Sequence, residues 1–332
     1  MCIVNKNIFS YLIKIIFLSL LIFCNYVYAT AQLNSKKNVT IGVYLSSLYE
    51  LDMNAGSYSA DFWIWSESQI KDKFSLNTVE LGLLHGKFPV DISLKYQENL
   101  DNSISFENRK IRGTFLHDFN LNLFPFDKQF LRFSVEGTDS TDEMNFFPST
   151  NSGFNNLIEV PGWRIASFKL INTEINHGTN FGYPKYIPNV KYPQIIAEIE
   201  LVRNSPYLFL KLSIGLFIAI LIAALSCAMP VKSDDLFGSR ITFLGGALLA
   251  AVLNQQFVDS KAGAINSITL IDIIHLVGIS MIGCLFIATI FLRYLCIKTN
   301  WENKIQKIDT IFGYFVLILF ILISTILILT SV

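Results

Sequence analysis

Residues 195–229 read IIAEIELVRNSPYLFLKLSIGLFIAILIAALSCAM. The first eight, IIAEIELV, have the Ile- and Val-rich character of a β-strand. After Arg203, Asn204, Ser205 and Pro206, an apolar run opens at Tyr207 and continues to Met229. Coiled as a helix, that run is long enough to cross a hydrocarbon core of about 30 Å. The junction therefore divides the chain into a strand-rich part before it and a membrane part after it.

Three further apolar runs follow, at residues 241–258, 268–292 and 311–329. Each reaches the length of about 20 residues that a spanning helix needs, the second only just. Lys and Arg set the orientation. Lys232 and Arg240 lie between the first two runs, and Arg293, Lys298, Lys304 and Lys307 between the last two. The loop between the second and third holds only Lys261. The two basic loops are expected in the cytoplasm, which puts residues 32–205 outside. The N-terminus agrees. Lys6 and Lys14 precede an apolar run at residues 15–23, and the small residues Ala29 and Ala31 follow. That order reads residues 1–31 as a secretory signal. An uncleaved anchor helix is the other reading, although so short an apolar run does not span a bilayer.

Composition fits this division. Of 332 residues, 52% are hydrophobic and 16% charged, against about 25% charged in soluble domains. The 26 basic and 26 acidic residues cancel, which speaks against a nucleic-acid binder with a basic footprint and a disordered chain. Residues 32–205 contain no cysteine, so they carry no disulfide, Cys-type zinc site or thiol nucleophile. Residues 39–45 (VTIGVYL), 58–65 (YSADFWIW), 90–96 and 195–202 read as strands, with turn formers at 54–56, 137–139 and 151–153 between them. Many short strands without helices favour an immunoglobulin-like β-sandwich. The expected fold class is an α+β membrane protein. It has an extracytoplasmic sandwich at residues 32–205 and a four-helix membrane bundle at 206–332. His85, His117, His177 and His275 are scattered, and no HExxH, GxSxG or GxGxxG occurs; GLLHGK at 82–87 is one residue short of a P-loop. No catalysis, cofactor or metal is expected.

The second apolar run, ITFLGGALLAAVLNQQFV, is unlike a plain anchor. It carries Thr242, paired glycines, three alanines, then Asn254, Gln255 and Gln256, and polar side chains are costly against hydrocarbon. At 3.6 residues per turn, Thr242, Gly246, Leu249, Leu253, Gln256 and Ser260 form one stripe, polar at both ends and leucine in the middle. Several copies around an axis would enclose a water path narrowed by leucine rings that can dewet. The competing reading is a tightly packed helix of small residues with its amides bonded to neighbours.

FPFDKQ at residues 124–129, Arg203 within ELVRNSPYLFLKL, four apolar runs, and the acidic Asp272 near the outer end of the third occur in this order. The ensemble resembles the pentameric ligand-gated ion channels, the Cys-loop receptor superfamily, in its prokaryotic form. The resemblance covers nearly the whole mature chain. Three departures stand out. His117 and Leu131 occupy the places of the cysteine pair of animal members, residues 67–112 lack a WxP segment, and Gly238 and Ser239 stand where cation channels often carry Glu, with Asp234 and Asp235 further in.

The resemblance implies a homopentamer in a bacterial inner membrane, multi-pass, with its N-terminal domain in the periplasm. It implies a pore lined by Thr242, Gly246, Leu249, Leu253, Gln256 and Ser260, with Leu249 at the central gate and cations as the expected ions. Gating would pass through Asp52, Phe126, Asp127, Arg203 and Lys261, with Asp127 and Arg203 as a pair; a solvated surface pair is the alternative. A small-molecule or ionic agonist would bind between subunits among aromatics, which attract ammonium groups. Candidates are Trp65, Phe146, Phe181, Tyr183 and Tyr186, with Phe147 and Trp63 beside them, and sandwich core is the alternative for each. One of Trp63 and Trp65 is expected in the core and the other exposed. Lys211 is expected to snorkel, and Asp272 and His275 to share a helix face as an interfacial pair or a proton sensor. The other reading of the whole chain is a non-conducting, membrane-anchored sensor of the same fold.

Overall fold

The computed structural model describes residues 36–72, 74–82, 91–100, 103–179, 182, 189–262, 268–299 and 301–331, together with 14, 18 and 19. The expected signal segment lies outside the described residues apart from those three. Among the described residues ten strands come first: β1 (Lys37–Asp52), β2 (Ser57–Gln69), β3 (Val79–Gly82), β4 (Asp91–Leu100), β5 (Ile104–Leu116), β6 (Lys128–Gly137), β7 (Met144–Pro148), β8 (Gly153–Phe154), β9 (Trp163–Asn176) and β10 (Lys191–Arg203). Four long helices follow: α1 (Ser205–Ser226), α2 (Asp234–Ala262), α3 (Leu270–Lys298) and α4 (Glu302–Leu329).

The strands form two sheets, one ordered β4-β5-β2-β1-β7 with β8 also on β1, the other β3-β6-β10-β9. Pairing is antiparallel except where β7 and β8 join β1. Strand side chains alternate between faces, and the inward sets meet in one core. Val39, Ile41, Val43 and Leu45 of β1 and Tyr58, Ala60, Phe62 and Ile64 of β2 are buried with Leu131, Phe133 and Val135 of β6 and Ile195, Ala197, Ile199 and Leu201 of β10. Phe62 stacks on Phe133 with centroids 4.8 Å apart, and the Tyr58 hydroxyl donates to the Arg132 carbonyl at 2.7 Å, so ring and hydroxyl both tie one sheet to the other. Each large apolar side chain removed from water contributes about 1.5–3 kcal/mol. The same core includes Leu212, Val258 and Ile271 from the helices, so the strand-rich part continues into the helix ends.

The four helices are long and apolar enough to cross a membrane. The second and fourth start well before their apolar runs. α2 starts at Asp234 rather than 241, and α4 at Glu302 rather than 311. Acidic residues fit a helix N-terminus, where the backbone dipole is positive, so a hydropathy boundary undershoots the helix. Arg240, Arg293, Lys298, Lys304 and Lys307 consequently sit on helices and not in loops. Arg240 is fully buried, which corrects its reading as a loop charge.

Candidate functional site

Thr242, Gly246, Leu249, Leu253, Gln256 and Ser260 are all exposed on α2, while Arg240, Leu244, Ala247, Ala251 and Val258 turn inward against the other helices. Leu249 is 60% and Leu253 54% exposed. Thr242 and Ser260 direct their hydroxyls to carbonyls of their own helix, Gly238 at 3.0 Å and Phe257 at 2.7 Å. Asn254 behaves as the tight-packing reading requires, bonding to the backbone of α1. Lys261 lies on the last turn of α2, and the rest of the linker, residues 263–267, lies outside the described residues.

The N-terminal end of α2 is braced from α3 and α4. Asp309 of α4 takes both terminal nitrogens of Arg240, with Nη2 to Oδ1 at 2.9 Å, and neither side chain is exposed. A buried arginine is tolerable only when paired and hydrogen-bonded. Arg293 of α3 donates through Nη1 to the Val231 and Lys232 carbonyls at 2.6 and 2.5 Å, pairs with Asp234, and lies over the Phe237 ring.

At the junction, Arg203 holds Asp127 through Nε to Oδ1 at 2.6 Å and Nη2 to Oδ2 at 3.1 Å. Side-chain exposure is 7% and 1%, so this is a buried pair and not a solvated surface one. The guanidinium carbon sits 4.0 Å from the centre of the Trp163 ring and 4.9 Å from that of Phe124, an arrangement favourable to a cation. Gln129 donates to Asp127 at 2.8 Å and exchanges two bonds with the Asn120 backbone, which fixes the loop that carries FPFD. Burial pushes the His117 imidazole, beside Gln129, below its ordinary value. Phe126 packs on Phe209 of α1 at 5.5 Å, and Leu270 at the start of α3 donates to the Asn122 carbonyl at 2.9 Å. Asp52 is exposed and accepts from Asn54 and Ala55, both at 2.9 Å, so its carboxylate shapes its own turn. A cavity of about 520 Å³ beside this junction is lined by Asn122, Phe126, Lys128, Arg203 and Ser331.

In the strand-rich part, Trp63 and Trp65 are both half-buried on the face away from the core, while Phe62 and Ile64 point inward. The expectation that they would divide between core and surface was wrong, because residues two apart on a strand share a face. Trp65 covers its cross-strand neighbour Gly42, where an added Cβ would fall 2.0 Å from the indole. Phe146 is 2% exposed and packs on Phe74, whereas Phe147 is 46% exposed. Both line a cavity of about 410 Å³ with Asn145, Asn172, Thr173 and Glu174. Phe181, Tyr183 and Tyr186 lie outside the described residues. In the first turn of α3, Asp272 accepts from the Thr269 N–H and hydroxyl at 2.9 and 2.7 Å. His275 is buried against Ile271 and Asn254. The two therefore serve different partners. Lys211 is exposed on α1.

Asp309, Trp163 and Gly215 were not singled out by sequence, and Arg293 only as a charge between the last two apolar runs. For Asp309 a signal existed: an acidic residue beside a long apolar run is costly unless it is paired. Trp163 and Gly215 become visible only once strands and helices are paired in space. No family model and no curated protein matches the chain.

Proposed function

We propose that the chain is one subunit of a homopentameric, ligand-gated ion channel of a bacterial inner membrane. The strand-rich part acts as a periplasmic immunoglobulin-like sandwich, and α2 lines the pore. One observation carries this reading. A helix packed against α1 and α3 turns Leu244, Ala247, Ala251 and Val258 inward and leaves exposed the stripe of Thr242, Gly246, Leu249, Leu253, Gln256 and Ser260. Polar groups on an exposed helix face cost free energy in lipid, whereas around an axis they wet two mouths on either side of leucine rings that dewet when narrow.

Cations are the favoured ions. The stripe continues inward through Ser239 to Asp235, both exposed, while Arg240 is withdrawn onto Asp309. An acidic ring at a mouth attracts cations. Agonist binding at the subunit boundary would act through the buried Asp127–Arg203 pair, the Phe126–Phe209 contact and the Asn122–Leu270 bond. The test is a planar-bilayer recording of the purified chain while amines and pH are screened. Ligand-evoked cation current supports the channel. Protein that is shown to be incorporated, binds a ligand and stays silent identifies a membrane-anchored sensor instead.

A further inference from the structure

Asn254 lies among the partly buried residues of α2, and its side-chain amide is built into the backbone of α1. Nδ2 donates to the Leu212 carbonyl at 3.0 Å, and Oδ1 accepts the Leu216 N–H at 2.9 Å. Those two backbone groups are four residues apart, the pair that an uninterrupted α-helix joins directly. Space for the amide exists because residue 215 is glycine: a Cβ there would fall 3.0 Å from both Cγ and Oδ1 of Asn254. A third helix reaches the same place, since His275 of α3 sets Nε2 3.4 Å from that Oδ1 and Nδ1 2.9 Å from the Ile271 carbonyl. A side chain bridging a helical rung is a recognised local modification of a helix, and here it belongs to the helix whose outward face matters.

We propose that Asn254 is the positioning residue that sets the rotation of α2 about its own axis, keyed into α1 at Gly215. An α-helix turns about 100° per residue, so Leu249, five positions earlier, stands about 140° around from Asn254. Fastening Asn254 to α1 thus directs Leu249 away from α1, towards the face offered to neighbouring copies. Leu212 and Leu216 lie inside the unbroken helix α1, where an α-helix makes them backbone partners, so removing the amide leaves no orphaned backbone group while freeing α2 to turn. The meaning of that rotation for conduction rests on the channel reading; the keying itself does not.

The experiment compares Gly215→Ala, Asn254→Ala and the double variant in the purified full chain. Thermal unfolding reads the keying, and site-by-site labelling of cysteines introduced at 248, 249 and 250, resolved by peptide mass spectrometry, reads the rotation. Gly215→Ala is expected to lower the melting temperature in the native background, and in the Asn254→Ala background to leave it unchanged or raise it, because alanine favours a helix interior over glycine. If Gly215→Ala cannot be purified but the double variant can, that is the same coupling in its strongest form. Equal loss in both backgrounds, or failure of both proteins, overturns the keying. In the Asn254→Ala background the fastest-labelled position is expected to move from 249 to 248 or 250. A merely structural role would lower stability and leave the maximum at 249, which overturns the positioning claim. Neither readout needs current, so a silent bilayer with these results removes the channel reading alone.

Discussion

The guanidinium of Arg240 in α2 is held by both carboxylate oxygens of Asp309 in α4, and neither side chain is exposed. Removing one partner of such a pair costs about 3–5 kcal/mol, because a buried charge is left alone, whereas apolar replacement of both is often neutral. Asp309→Ala should therefore lower the melting temperature of the purified chain sharply, and Arg240→Met with Asp309→Leu should restore most of it. Thermal unfolding of the three proteins in one detergent checks this. Equal losses in the single and double variants would show that the pair itself is not what holds α4 to α2.

Asp127 and Arg203 make the corresponding pair at the junction, with Trp163 and Phe124 on the arginine. Lysine keeps the charge but lacks the planar fork that two carboxylate oxygens and two rings recognise. Arg203→Lys and Asp127→Asn should each reach the membrane yet lose most ligand-evoked current. Surface labelling together with concentration–response curves measures both quantities. Unaltered curves would remove the pair from the coupling route.

A pH dependence follows from the outer face of the second sheet. Glu198 lies between Arg132 and Lys169, each at 2.8 Å. Burial alone would raise its carboxyl, and the two cations more than reverse this, holding it below the ordinary 4.5. A depressed carboxylate contributes stability above its unfolded value and loses it as pH falls through the folded one. Melting temperature should therefore decline as pH drops below about 4.5, with a shallower decline in Glu198→Gln. Identical slopes for the two proteins would contradict this.

The sequence already showed the boundary at Arg203, the four helices and the stripe on α2, because each depends on local periodicity or hydropathy. The burial of Asp127 with Arg203 was not legible, since the ring that packs on the arginine from β9 is forty residues away at Trp163. Arg240 was misplaced because the apolar run starts one residue after it, while the helix starts at Asp234. The two tryptophans were misassigned by a lapse in the period-two rule. Asn254 stood out as a polar residue, but its partners are the Leu212 and Leu216 backbone of another helix, reached where Gly215 has no side chain, which no pattern in α2 reveals.

The most direct test is ion flux through liposomes that hold either the native chain or Leu249→Ala. If the exposed stripe of α2 encloses a water path closed by rings of leucine, truncating Leu249 widens and wets the constriction. Leu249→Ala liposomes should then leak cations without ligand, faster than liposomes with the native chain at equal protein content. Liposomes equally tight with either protein, at confirmed incorporation, would contradict the account.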